Sequence, residues 1–451
     1  MTGGIGTNSE RLFQLIGFRA LRRVEDTSAI SRVRHAVALC RALLSERGEI
    51  SGARLAAEAL ASYHSLDRAG RTAFFDSLAA DFSPDPEQVA RMAEAYRTDP
   101  SAANLIRLQK IVEPPRQELF RRLNMAPDGT RTLVGMREHL LELGTHPQWI
   151  AIESDLAHLL HSWFNRGFLE LRRIDWSTPA IVLDKLIEYE AVHQIQGWAD
   201  LRRRLEEDRR CYAFFHPALD DDPIIFVEVA LTRGMSGKVQ PLLDPAEPVT
   251  DPRTANCAVF YSITNCQEGL RGVPFGNFLI KKVVEDLGRQ LPQIKTFATV
   301  SPVPGFREWL AKTHPGWEAE RGHITPSSVP ENGSGAKSAV PEPGQRELMS
   351  LCAYYLLHAK QGKEPLDPVA RFHLRNGARL ERINWLGDTS AAGFERSAGL
   401  MVNYLYRLRD FERNHEQYMK EYRVVASLAV ESLAKAGTPQ RRSASPGRHP
   451  V

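Results

Sequence analysis

Between residues 258 and 300 the chain reads strand, glycine-bearing loop, helix, strand, and no other stretch restricts the choice of folds as much. Ala258-Val259-Phe260-Tyr261-Ser262-Ile263 is a short bulky run, as expected for a strand. Phe278 to Leu287 spaces its apolar residues at helical intervals, with Lys281, Lys282, Glu285 and Asp286 between them, so an amphipathic helix is expected there. Thr296-Phe297-Ala298-Thr299-Val300 returns to strand character. Two earlier runs join this set. One is Cys211-Tyr212-Ala213-Phe214-Phe215. The other covers 224–231 and is bounded by Asp220-Asp221-Asp222-Pro223 and Arg233-Gly234, the pattern of a buried strand.

The first part of the chain has the opposite character. From about 28 to 170 it reads as helix after helix, with stripes such as Leu39, Leu43 and Leu44, then Leu55, Leu60 and Tyr63. Ser83-Pro84-Asp85-Pro86-Glu87 is a helix start, and Pro114-Pro115 and Pro127-Asp128-Gly129 punctuate the next helices. No run of β-branched residues interrupts them. The expected class is α+β: an all-α domain over 1–175, then an α/β domain over 176–436. Within the second, 325–345 is rich in Pro, Gly and Ser and reads as a flexible surface loop, and 437–451 reads as a disordered tail. For 451 residues, two domains agree with a prior of about 150 residues each.

Composition removes several classes of function. The net charge of +3, from 58 basic and 55 acidic side chains, is too small for whole-surface attraction to nucleic acid or membrane. No apolar run approaches the roughly 18–20 residues that cross a bilayer. Five cysteines, none in a CxxC pair, do not make a disulfide scaffold and point to a reducing compartment. With no secretory or peroxisomal signal read, and an arginine-bearing start interrupted by Glu10, Glu25 and Asp26, the expected location is the cytoplasm.

Three features carry possible chemistry. Glycines at 269, 272 and 276, between a strand and a helix, let backbone approach a ligand, and the helix start offers N–H groups for phosphate oxygens. The loop lacks Walker and Rossmann patterns, and an ordinary tight connection would read the same way. Ser301 follows a strand and is held by Pro302 and Pro304, although a serine capping the helix near Phe306 is the plainer reading. His373, ahead of Asn376-Gly377, suits a proton donor or an unremarkable core histidine. His158 and His161 lack companion ligands, so no metal site is expected, and Cys257, Cys266 and Cys352 read as buried. The acidic run at 220–222 reads as a turn.

Taken together, these blocks resemble the malonyl-CoA decarboxylase family. The likeness rests on Phe260-Tyr261-Ser262-Ile263, Gly269-Leu270-Arg271-Gly272-Val273, Gly276-Asn277-Phe278-Leu279-Ile280-Lys281 and Ser301-Pro302-Val303-Pro304-Gly305-Phe306. It continues through Asn376-Gly377, Arg382-Ile383-Asn384-Trp385 and Gly399-Leu400-Met401-Val402-Asn403-Tyr404, in the same order. The resemblance implies a helical oligomerisation domain followed by a catalytic domain with the Gcn5-related N-acetyltransferase fold, assembled as a homo-oligomer such as a tetramer. It implies that Arg271, Gly272, Val273, Pro274, Phe275, Gly276 and Asn277 contact the CoA thioester. Here Arg271-x-x-Pro274-x-Gly276 matches the acetyltransferase pyrophosphate pattern except for proline in place of its first glycine. Ser301 and His373 take the positions of the catalytic serine and histidine, and both also contact substrate.

The implied reaction converts malonyl-CoA to acetyl-CoA and CO₂ through a thioester enolate. Its requirements are charge stabilisation at the thioester oxygen, an oriented and poorly solvated carboxylate, and a proton for the α-carbon. A serine and a histidine are adequate, with no metal or organic cofactor called for. An acyl-CoA-dependent N-acyltransferase and a catalytically silent CoA-thioester sensor are the competing readings.

Overall fold

The structure is a computed structural model and describes residues 29–144, 146–273, 278–317 and 342–437. These divide into two compact units. One holds the chain to Phe168 with His216–Asp220 and Gln267–Pro274, and the other holds Leu169–Phe215, Asp221–Cys266 and Phe275 onward.

The first unit is helical. After a helix over 29–44 come Glu46–His64, Arg68–Asp81, Pro86–Thr98, Ala102–Val112, Pro115–Leu123, Gly129–Leu143 and Ile150–Trp163. The helix start read at 83–87 is capped by Asp85, which accepts from the Glu87 N–H at 2.9 Å, and Asp67 caps the Arg68–Asp81 helix by accepting from the Gly70 N–H at 2.7 Å. The core gathers Leu43, Tyr63, Phe74, Phe75, Phe120 and Leu156, all almost fully buried. Arg116 and Asp155 pair at 2.5 Å inside it, with Gln117 on the second carboxylate oxygen, so the buried charge is fully engaged.

The second unit is built on one sheet. Its strands are β1 (Glu170–Ile174), β2 (Arg209–Phe215), β3 (Ile225–Thr232), β4 (Cys257–Asn265), β5 (Thr296–Thr299), β6 (Ser301–Pro302), β9 (Arg379–Asn384) and β10 (Met401–Tyr406). A separate hairpin pairs β7 (Lys360–Gln361) with β8 (Glu364–Pro365). The order is β1-β2-β3-β4-β5-β10-β6, with β9 on β10. β1 to β4 form an antiparallel meander, whereas β4 and β5 are parallel, joined by the Phe278–Gln290 helix. A parallel pair requires such a crossover, which is what the strand–loop–helix–strand pattern supplied.

Two irregularities shape this sheet. β3 and β4 shift register so that Glu228 faces Ser262 while Val229 faces Phe260, leaving Tyr261 as a bulge residue. β4 and β5 stay paired only to Phe260 and Thr299, after which the Val300 N–H reaches the Phe260 carbonyl at 2.9 Å and the two strands part. β10 runs antiparallel across this point, pairing with β5 through Leu405 and Tyr406 and with β6 through Met401 and Val402. This is the acetyltransferase-like arrangement, and the class is α+β.

The expected strands at 211–215, 224–231, 258–263 and 296–300 and the helix at 278–287 are all present; the strand ends differ by at most two residues and the helix runs three residues further, to Gln290. β1 falls inside the stretch read as all-helical, so strand structure begins at Glu170 rather than after 175. The loop read at 325–345 lies outside the described residues as far as 341, and from Glu342 the chain is helical. The tail lies outside them beyond 437. The acidic run is a turn, as read: Asp220 has φ 51°, and Asp222 pairs with Lys185 at 2.9 Å.

Candidate active site

The break between β5 and β6 is held open by side chains. Asn403, wholly buried in β10, donates through Nδ2 to the Thr299 carbonyl and to the Ser236 carbonyl at 2.8 Å. Its Oδ1 accepts from Arg382 Nε at 3.0 Å and Asn384 Nδ2 at 2.9 Å. The Tyr404 N–H donates to Thr299 Oγ1 at 3.1 Å. Side-chain bonds thus stand where ladder bonds would run, and Ser301 is set just past them. Ser301 does not cap the following helix. That N-cap is Gly305, at φ 102°, with no side-chain bond.

His373 arrives on a short helix, Pro368–Arg375. Asp367 caps it by accepting the Ala370 N–H at 2.7 Å, Pro368 opens it with its fixed φ, and Gly377 at φ 73° ends it. No larger residue fits at Gly377, where a Cβ would stand 2.4 Å from the Phe411 carbonyl oxygen.

These two elements bring Ser301 and His373 together, with Oγ 3.1 Å from Nε2. Ser301 Oγ also donates to Thr299 Oγ1 at 2.8 Å, and His373 Nδ1 lies 2.7 Å from the Tyr406 hydroxyl. The directions follow from counting protons. With its own proton on Thr299, Ser301 accepts from Nε2–H, so Nδ1 is bare and accepts from Tyr406 O–H. The chain runs Tyr406, His373, Ser301, Thr299. All four are buried, and burial alone drives the His373 pKa down to about 3. The imidazole is therefore neutral near pH 7, with an N–H facing the serine. Burial also pushes the Tyr406 phenol well up, so it stays protonated.

Tyr406, Tyr404, Thr299 and Asn403 were missed by the sequence reading. The available signal was spacing: 404 and 406 fall on one face of a strand, as do 299 and 301.

The glycine-bearing loop is less simple than it looked. Gly269 is required by packing against the Gly129–Leu143 helix, since a Cβ there would stand 2.0 Å from the Val134 carbonyl oxygen. Arg137 from that helix donates to the carbonyls of Gly269 and Arg271, at 2.8 Å each. Arg271 and Gly272 are exposed, Gly272 has φ 80°, Val273 is buried, and Arg271 pairs with Glu268 at 3.3 Å. Pro274, Phe275, Gly276 and Asn277 lie outside the described residues.

All five cysteines are free and buried, and burial raises each thiol pKa, that of Cys40 to about 12 and of Cys257 to about 11. They are not poised as nucleophiles. Among the described residues no cluster of three metal-ligating side chains occurs, and no helix is long and apolar enough to cross a membrane.

The second unit is thus an acetyltransferase-like sheet whose central parallel strands separate beside a buried Ser301–His373 pair. Comparison with known proteins makes this specific. The model of the malonyl-CoA decarboxylase C-terminal domain matches residues 167–444, and that of its N-terminal domain matches 82–164. Mitochondrial malonyl-CoA decarboxylase of Anser anser anser is 36% identical over 418 residues, covering 84% of this chain and 83% of the relative. The Rattus norvegicus protein is 36% identical over 405 residues, covering 81% and 82%. The chain is also similar to crystal structures of malonyl-CoA decarboxylase from Rhodopseudomonas palustris (47% identity, TM-score 0.80, 89% of this chain and 99% of that one) and Agrobacterium vitis (48%, 0.80, 88% and 99%). The chain belongs to the malonyl-CoA decarboxylase family. Its activity is that of a carbon–carbon lyase, converting malonyl-CoA to acetyl-CoA and CO₂.

Proposed function

We propose that Ser301 and His373 carry out this decarboxylation, a reading that rests above all on their 3.1 Å contact in a buried seat. Loss of CO₂ leaves the electron pair of the broken C–C bond in a thioester enolate. On binding, the Ser301 hydroxyl turns its proton from Thr299 Oγ1 to an oxygen of the reacting malonyl group and orients it. A dry site favours the step, because the carboxylate gives up its charge as neutral CO₂ leaves. His373 then delivers the Nε2 proton to the α-carbon. An enolate carbon is basic enough to take it from a neutral imidazole, Tyr406 O–H at Nδ1 supplies a proton to the imidazolate left behind, and one proton taken up from solvent as the product leaves restores the phenol and the starting tautomer.

Residues 271–277 hold the CoA portion in the same reading, supported by Gly272 at φ 80° and by the exposed Arg271. The protein acts as a homo-oligomer, a tetramer by family resemblance. The Pro86–Thr98 and Ala102–Val112 helices bury none of their residues and leave Leu105, Ile106 and Val112 exposed, which suits a self-association surface. A cytosolic location fits five free thiols.

The test is turnover of malonyl-CoA alone, read as acetyl-CoA and CO₂. His373→Asn is expected to lower turnover by at least about 10²-fold with little change in CoA binding. Unchanged turnover in that variant refutes the assignment.

A further inference from the structure

Two groups around His373 have no part in the proton chain. Tyr404 lies against the imidazole face, with centroids 4.5 Å apart and planes 23° from parallel. Its hydroxyl is buried, and no described residue hydrogen-bonds to it. Asp367, which caps the His373 helix, is wholly buried; Oδ1 takes the Ala370 N–H, the Val369 N–H also faces the carboxyl, and Oδ2 is buried with no hydrogen-bond partner among the described residues. The Asp367 charge raises the pKa of Tyr404, Tyr355 and Cys352, so one carboxyl faces β10, its own helix and the Glu342–His358 helix together.

Capping alone does not explain this residue. Serine or asparagine caps as well as aspartate, without placing a charge in the interior. What is particular here is the seat. The capped helix is only eight residues long and carries His373 in its last turn, over the Tyr404 ring.

We propose that Asp367 and Tyr404 are positioning residues that hold the His373 imidazole in line with Ser301 and Tyr406, Asp367 through the helix and Tyr404 through the ring face. This rests on the assignment of His373 as the proton donor.

Burial brings the Asp367 carboxyl up to about 7. The groups facing it do not titrate there. Cys352, Tyr355 and Tyr404 are all held neutral by burial. Arg371 donates to the Pro365 and Leu366 carbonyls. Because the folded value lies above the ordinary one of about 3.9, ionising Asp367 destabilises the fold progressively between about pH 4 and 7. The protein nevertheless keeps an ionisable group where a neutral one would be more stable. The ionised carboxylate is the stronger acceptor for the helix N–H groups, so it is the form that positions His373.

The experiment compares Asp367→Asn, Tyr404→Leu, Tyr404→Phe and His373→Asn by malonyl-CoA turnover from pH 5.5 to 9 and by thermal melting. Asp367→Asn is expected to lower kcat about tenfold at unchanged KM. It also loses an acid-side limb near pH 7, while melting at or above the wild-type temperature at pH 8. A merely structural role would lower the melting temperature and leave the pH profile alone. Tyr404→Leu lowers kcat by a similar factor, and Tyr404→Phe, which keeps the ring, restores it. If Asp367→Asn does not fold, the Leu and Phe pair decides. Wild-type kcat and pH profile in Asp367→Asn, or wild-type kcat in Tyr404→Leu, overturns the proposal while His373→Asn is inactive. An active His373→Asn overturns the catalytic assignment instead.

Discussion

Asn403→Asp is the sharpest test of how the serine is placed. Asn403 spends both amide hydrogens on carbonyls, those of Thr299 and Ser236, and takes two donors on Oδ1. Aspartate keeps the shape but turns the donating end into an acceptor, leaving two carbonyls unpaired and facing a charge. At about 1–3 kcal/mol for the orphaned buried Thr299 carbonyl, with less for the half-buried Ser236 carbonyl that water can reach, the loss is about 1–4 kcal/mol, toward the lower end if the new carboxylate keeps its Arg382 bond. Activity suffers as well, because Thr299 precedes Ser301 by two residues and its hydroxyl receives the serine proton. A displacement of about 1 Å there lowers kcat by about 10²-fold. Urea unfolding with turnover measured on the folded fraction separates the two effects. A variant with wild-type midpoint and kcat would show that the side-chain bonds across the β5–β6 break neither stabilise the fold nor place the serine.

Tyr406→Phe leaves Nδ1 without its donor, so the tautomer that points N–H at Ser301 is no longer enforced. Turnover should fall about 10–10²-fold at nearly constant KM, in a steady-state assay. Gly269→Ala places a methyl 2.0 Å from the Val134 carbonyl oxygen, so the helix must give way. A loss of about 1–3 kcal/mol by thermal melting is expected, and an unchanged melting temperature would refute that packing. His373 is held neutral, with its pKa lowered to about 3. Between about pH 6.5 and 3 the unfolded chain therefore binds a proton that the folded one refuses, and stability is lost as pH falls through that window. Asp367 contributes in the opposite sense, so the quantity to measure is the difference between wild type and His373→Asn. That difference should grow in the variant's favour as pH falls across the window.

The elements legible in the sequence are those whose burial is uniform along their length. β2 to β5 read as strands because most of their residues are buried on both faces and their central runs are mainly apolar or aromatic. β1 and β9 did not, because Glu170-Leu171-Arg172-Arg173-Ile174 and Arg379-Leu380-Glu381-Arg382-Ile383-Asn384 carry charge at exposed or half-exposed positions. β10 is the instructive miss, since Met401-Val402-Asn403-Tyr404-Leu405-Tyr406 is entirely buried. An asparagine in its centre argues against a buried strand, unless partners for all four of its hydrogen bonds are known. Those partners come from Ser236, Thr299, Arg382 and Asn384, which no local pattern joins.

The same separation governs the site. Ser301 and His373 stand 72 positions apart, and each had a plausible inert reading while considered alone. What joins them is β10, which bonds Thr299 on one side and presents Tyr404 and Tyr406 to the imidazole on the other. Gly269 shows the converse, a residue whose ligand-like spacing has a packing cause. The chemistry also follows from the packing. A histidine left in water would be partly protonated near neutral pH, and its ring could turn either nitrogen to the serine. Sealed beneath β10 it has one charge state and one tautomer. The polar chain from Tyr406 to Thr299 is tolerated in that interior because each member satisfies the next. On the proposed assignment of His373 as proton donor, burial makes this histidine a poor base in the resting state and aims its remaining proton, which is what delivering that proton to an enolate carbon requires.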